Sequence, residues 1–237
     1  MKKVLVIGAS SGIGREIALI YARSGNRVAI TGRRVNLLRQ VHDQFPDTIS
    51  FAWHDIRRPD SRDVMSGLVD AMDGMDLMVI SAGIGFINRD LQWEPEQQTI
   101  HTNVTGFSNA AGFGYDFFSK QGRGHIAGIS SIAGIRGVDI NPAYSASKAY
   151  ELNYLEALRK KAKKSGANII VTSILPGFVD TDMAKGPGLF WVAKPQKAAK
   201  QIVNAIEKKK SIVYVTKRWR IIAGLLRMMP ISVYDRI

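Results

Sequence analysis

The stretch KVLVIGASSGIG, Lys3 to Gly14, decides the fold of this 237-residue chain. Lys3 to Ile7 is a short apolar run rich in β-branched residues, the pattern of a buried strand. An amphipathic helical pattern over Gly14 to Arg23 follows at once. The glycines between the two have separate uses. Gly8 permits a tight turn, Gly12 lets backbone N–H groups approach a phosphate, and Gly14 allows the helix to pack closely. The helix N-terminus adds partial positive charge. Ser10 and Ser11 add hydroxyl donors, and Ile13 belongs to the same turn. A glycine turn between a first strand and a helix suits a pyrophosphate, so a dinucleotide is the expected ligand.

Outward from this unit the alternation continues. Further strand patterns are RVAIT (Arg27 to Thr31), ISFAW (Ile49 to Trp53), LMVIS (Leu77 to Ser81), HIAGIS (His125 to Ser130), NIIVTSIL (Asn168 to Leu175) and SIVYV (Ser211 to Val215). Helical patterns lie between them, among others over Asp60 to Met72, Gln97 to Lys120 and Ala143 to Lys164. Strand and helix in alternation predict an α/β fold: a single Rossmann-type, doubly wound parallel sheet of about seven strands with helices on both faces. Residues 1–216 are expected to form this one domain, and 217–237 a basic amphipathic extension rather than a second domain. Ligands of such sheets bind beyond the carboxyl ends of the strands.

The second strand sharpens the nucleotide reading. An NAD site usually carries Asp or Glu at the end of this strand, for the ribose hydroxyls. Here RVAIT runs into Gly32, Arg33 and Arg34. The acidic group is missing and guanidinium stands where a 2′-phosphate would lie, a bidentate match. The expected cofactor is NADP(H), with Arg33 as the main contact and Arg34 as its neighbour.

A second constellation carries the chemistry. Tyr144 and Lys148, in YSASK, follow Ser131 by thirteen and seventeen residues. On one helix, positions four apart share a face. A nearby ammonium favours phenolate, which brings a tyrosine toward the range of a working proton donor. Ser131 can then orient a carbonyl or hydroxyl group. Beside a nicotinamide, this set makes a carbonyl reductase, or an alcohol dehydrogenase in reverse.

With these motifs in order, the chain resembles the short-chain dehydrogenase/reductase family over about residues 3 to 215. Gly8, Gly12 and Gly14 match its cofactor loop. The resemblance implies that Asp55, with Ile56 beside it, contacts the adenine, and that Ser81–Ala82–Gly83 stands where the family usually has NNAG. It implies that Asn103, in HTNVTG, positions a water in a proton relay, and that Ser131, Tyr144 and Lys148 are the catalytic set. PGFVDT, with Pro176, Gly177, Val179 and Thr181, matches the loop that holds the nicotinamide carboxamide. By the same resemblance, Tyr144 donates the proton, Ser131 stabilises the oxygen, and Lys148 also holds the nicotinamide ribose. Asn103 read without the family is a helix-bending residue. Ile7 departs from the usual threonine, Ile80–Ser81 from the paired asparagines, and Ser11 from a second basic residue common in NADP enzymes. Family members commonly pair through the helices that here follow Gln97 and Tyr144, which implies a homodimer or homotetramer.

Composition narrows the remaining classes. There is no cysteine, so no disulfide or thiolate metal site, and the four histidines have no ligand spacing; no metal is expected. Val4 to Ile7 is too short for a secretory apolar region, and no run of about eighteen apolar residues exists to span a bilayer. A cytoplasmic protein is expected, with attachment to the inner membrane surface as an addition. The net charge of +13 is spread along the chain without aromatic interleaving or zinc-finger spacing, so nucleic acid is not an expected partner. The basic stretch KRWRIIAGLLRMMPISVYDRI predicts a helix with Trp219, Ile222, Leu225, Leu226 and Met229 on one face, suited either to packing or to a membrane interface. Met183 to Ala193 is the candidate pocket lid, and Phe190, Trp191, Phe86 and Ile87 suggest an apolar carbonyl or alcohol substrate. The reading from another class is a catalytically silent NADP-binding sensor or scaffold, against which the intact Asn103, Ser131, Tyr144 and Lys148 argue.

Overall fold

The computed structural model describes residues 1–183 and 188–236. Among them, parallel strands β1 (Lys3–Ile7), β2 (Arg27–Gly32), β3 (Ile49–Trp53), β4 (Leu77–Ile80), β5 (Arg123–Ile129), β6 (Asn168–Pro176) and β7 (Ile212–Val215) form one seven-stranded sheet. Their order is β3-β2-β1-β4-β5-β6-β7. Val4 pairs with Val28 on one side and Leu77 on the other, so β1 sits at the point where the strand order reverses. A crevice opens beyond the carboxyl ends of strands at such a point.

The helices are α1 (Gly12–Arg23), α2 (Val35–His42), α3 (Ser61–Ala71), α4 (Trp93–Ile100), α5 (Phe107–Gln121), α6 (Pro142–Ser165), α7 (Pro195–Glu207), α8 (Trp219–Met228) and α9 (Ile231–Tyr234). Side chains alternate across a strand, and β1 shows the consequence. Val4 and Val6 join Ile17, Leu38 and Ile202 in the core under α1, α2 and α7. Leu5 and Ile7 join Met65, Phe107 and Leu155 in the core under α3, α5 and α6. Both faces are covered, which is why the central strands read as continuous apolar runs rather than alternating ones.

The boundaries of α6 follow from local chemistry. Pro142 begins it, where its missing N–H costs nothing. Gly166, at φ +71°, ends it in the left-handed conformation that a glycine adopts without strain. The helix expected over Gln97 to Lys120 is different. It begins earlier, at Trp93, and a π-helical turn over His101–Gly106 separates α4 from α5. Such a turn inserts one extra residue and re-aims the side chains it contains. Asn103 is one of them.

The C-terminal stretch also departs from its expected face. Trp219 and Ala223 are buried, whereas Leu225 joins Ile221 and Met228 on an exposed stripe. The reason lies at Gly177, where a Cβ would collide with the Trp219 indole. The indole takes that space and packs edge-on against Phe178 at 5.4 Å and tilted against Phe190 at 5.1 Å. This anchor sets the rotation of α8. Among the described residues no helix is long and apolar enough to cross a membrane.

Leu155 on α6 is fully buried and fills the groove left by Gly128, where a Cβ would stand 2.6 Å from a Leu155 methyl. Leu155→Ala is expected to destabilise the fold by about 2–5 kcal/mol. Urea unfolding would show it as a lower midpoint with an unchanged slope.

Candidate active site

The carboxyl ends of the central strands open into one cleft of about 750 Å³. It gathers most of the residues singled out in the sequence. Gly8, Ser10, Ser11, Gly12 and Ile13 line it from the first turn, and Arg33, Arg34, Asp55 and Ile56 from the ends of β2 and β3. Ala82 and Gly83 follow β4, and Ser131 follows β5; Tyr144 and Lys148 come from α6, and Pro176, Gly177, Val179 and Thr181 from β6 and its loop. Gly14 and Asn103 stand behind this surface.

The glycine turn is shaped by close approach. Gly8 has φ +83°, and a Cβ there would lie 2.5 Å from the Ala82 nitrogen. At Gly14 a Cβ would strike the Gly8 carbonyl oxygen and come within 2.9 Å of the Ser81 hydroxyl. The N–H groups of Gly8 and Ala9 both donate to the Thr31 carbonyl at 2.9 Å, drawing β2 to the turn. Across the cleft Thr181 closes in, its methyl 3.1 Å from a Cβ built at Gly12. What remains is a cradle of backbone at a helix N-terminus, which fits a dinucleotide pyrophosphate.

Beside it, Arg34 donates to Ser10 Oγ at 2.9 Å and to Ser11 Oγ at 2.5 Å. Arg34, the neighbour rather than the favoured Arg33, therefore contacts the turn, while Arg33 lines the same end of the cleft. The Asp55 carboxylate is bound by Arg57, through Nε at 2.9 Å and Nη2 at 2.5 Å. These hydrogen bonds, chiefly, hold it below the usual carboxylate range. Ile56 is buried against Gly106, where a Cβ would sit 2.7 Å from its methyl.

At the catalytic end the Tyr144 ring lies against Gly85, where a Cβ would be 2.6 Å from Cδ2. Lys148 places its ammonium 5.7 Å from the centre of that ring. Ser131 Oγ accepts from the Ala133 N–H at 3.1 Å, which leaves its own hydroxyl hydrogen to donate. Asn103, fully buried, accepts from the Ile84 N–H at 2.9 Å and donates to the Ile84 carbonyl at 2.7 Å and to Ser147 Oγ at 3.0 Å. The π-helical turn thus aims Asn103 at the loop after β4 and ties that loop to α6.

Several lining residues were not foreseen. Arg136, Leu226 and Tyr234 border the cleft, as do Ile87 of the expected apolar residues and Leu189 of the expected lid segment. Phe190 and Trp191 instead pack on Trp219, at 5.1 and 5.9 Å. Residues 184–187 of the expected lid lie outside the described residues. Behind Lys148 stands Glu151, whose carboxylate accepts from Nζ at 2.9 and 3.0 Å. Burial pushes Glu151 up to about 7 against the pull of Lys148 and a Ser130 hydrogen bond. Burial pushes Lys148 down, but Glu151 and, less directly, Tyr144 reverse this and raise it. The signal was present in the sequence, because positions three apart on a helix meet.

A family model for short-chain dehydrogenases matches residues 2–188. An uncharacterized oxidoreductase of Myxococcus xanthus is 37% identical over 188 residues, covering 77% of this chain and 74% of its own. One of Mycobacterium tuberculosis is 31% identical over 239 residues, covering 96% and 92%. Among solved structures, a short-chain dehydrogenase from Sphingobium yanoikuyae in complex with NADPH superposes with a TM-score of 0.80 at 22% identity, covering 98% of each chain. The chain belongs to the short-chain dehydrogenase/reductase family and is an oxidoreductase of that family.

Asn103→Ala would leave both polar groups of Ile84 without their partner. A loss of about 1–3 kcal/mol in unfolding free energy is expected, measured by urea titration.

Proposed function

We propose that the cleft binds NADP(H) and that the protein interconverts a carbonyl compound and its alcohol, with Tyr144 as the general acid and base. The observation that carries this reading is the single cleft itself. It presents the glycine cradle and the Arg33–Arg34 pair beside Ser131, at the end of β5, and Tyr144 and Lys148, on α6.

The Gly8–Gly14 turn would take the pyrophosphate, Arg33 and Arg34 the 2′-phosphate, Asp55 and Ile56 the adenine, and Val179 and Thr181 the carboxamide. The NADPH complex of the Sphingobium relative supports the choice of nucleotide. When bound, the cofactor supplies or accepts hydride. Ser131 donates a hydrogen bond to the substrate oxygen and stabilises the charge that develops there. Tyr144 delivers its phenolic proton to the same oxygen during reduction and takes it back during oxidation. The Lys148 ammonium favours the phenolate that remains. Asn103 holds Ile84 and Ser147 and, with Lys148 Nζ, faces the Gly83 turn. Ile84, Ile87, Ile132, Ile140 and Leu226 make the substrate end apolar, which suits an apolar ketone or alcohol.

Fluorescence titration with NADPH and NADH tests the cofactor assignment. NADPH is expected to bind more tightly, and Arg33→Ala to weaken it by about tenfold or more while leaving NADH nearly unchanged. On a panel of apolar carbonyl compounds, Tyr144→Phe is expected to lower kcat by about 10²–10⁴-fold. NADPH binding with no turnover across the panel would replace this reading with that of a silent NADP-binding sensor.

A further inference from the structure

Lys148, which the mechanism above uses, forms a buried ion pair with Glu151, which it does not. Their side chains are 5% and 0% exposed. Nζ donates to Oε1 at 2.9 Å, to Oε2 at 3.0 Å and, more loosely, to the Ile129 carbonyl at 3.3 Å. The ammonium so held faces Gly83, where a Cβ would lie 3.2 Å away. A lysine buried without a partner sheds its proton, and a carboxylate buried without one takes a proton up. Neither charge is sustainable there alone.

The surrounding groups leave this work to the pair. From α6 the Tyr144 phenol acts on Lys148, and from the end of β5 the Ser130 hydroxyl acts on Glu151. Asn103 on the π-helical turn and Ser147 on α6 are neutral and bound to each other. The Ser130 hydroxyl hydrogen goes to the Lys148 carbonyl at 2.7 Å, fixing the helix turn that carries the lysine.

We infer that Glu151 is a positioning residue of this active site, the counter-ion that keeps Lys148 protonated and aimed at the Gly83 turn. Beside the ionised carboxylate the ammonium remains available to the cofactor ribose and to Tyr144 into the alkaline range. The inference rests on the NADP(H) reading for its consequence, but the ion pair can be tested without it.

The experiment compares the wild type with Glu151→Gln and Glu151→Asp from pH 7 to 9.5, by NADPH fluorescence titration and by thermal unfolding. Wild-type affinity is expected to hold across this range. In Glu151→Gln it should fall about tenfold or more as Lys148 loses its proton, and Glu151→Asp should restore part of it. Unfolding supplies the cofactor-free measurement. In Glu151→Gln the lysine pKa is depressed in the folded state only, so between the two values the unfolded chain binds more protons. Stability of that variant should therefore rise with pH relative to wild type. A uniform loss of affinity, with the pH dependence unchanged, overturns the inference and leaves the cofactor reading standing. If wild type binds no NADPH, the cofactor reading fails, and parallel unfolding curves for the two proteins would overturn the counter-ion role as well. Should Glu151→Gln not fold, Glu151→Met, which also removes the charge, takes its place: an alkaline loss of affinity steeper than wild type supports the role, and a wild-type profile overturns it.

Discussion

The approach of two backbones at Gly8 is the constraint on which the cleft depends. A side chain there would occupy the space of the Ala82 nitrogen and Cα, and one at Gly14 would occupy that of the Gly8 carbonyl. Because neither exists, the loop after β4 lies directly on the turn between β1 and α1. The shared acceptor at Thr31 draws in the end of β2 as well. Helix α1 then points its N-terminus into the crevice where the strand order reverses, and the loops from both halves of the sheet meet there. A parallel sheet leaves its connecting loops at one edge, so all the polar chemistry collects in one place.

Burial then separates the charges that matter from those that do not. Arg58–Asp60 and Arg62–Asp116 are surface pairs, screened by water and worth little. The Lys148–Glu151 pair is different in kind, because two charges have been removed from water at a cost that attraction only partly offsets. A hydrophobic pair would serve stability as well. Asn103 is buried in neutral form: one amide satisfies both backbone groups of Ile84 and reaches α6.

The C-terminal segment is fastened at both ends. Trp219 fills the space over Gly177, and its buried indole N–H has no hydrogen-bond partner among the described residues, so apolar and aromatic contact must outweigh that loss. Farther on, Arg136 donates to the Met229 carbonyl at 3.0 Å and lies over the Tyr234 ring at 4.8 Å, while the Tyr234 hydroxyl donates to the Gly137 carbonyl at 2.6 Å. Between these anchors Leu226 and Tyr234 border the cleft. The segment that looked most like an appendage in the sequence thus forms part of the pocket wall.

Sequence by itself determined the layers and singled out a set of residues most of which line the cleft. Seven β-branched runs, the glycine turn and the YSASK helix are local patterns, each within a few residues of where the strands and helices lie, because strand and helix periodicities are written in consecutive side chains. Only the tertiary structure decided the interruption of α4 and α5 by a π-helical turn, the choice of Arg34 as the arginine on Ser10 and Ser11, the outward turn of Leu225, and the arrival of Arg136 and Tyr234 at the cleft. Each of these depends on which distant surface offers space or a partner. Gly177 and Trp219 are forty-two positions apart, and no local pattern records that the absence of one side chain makes room for another.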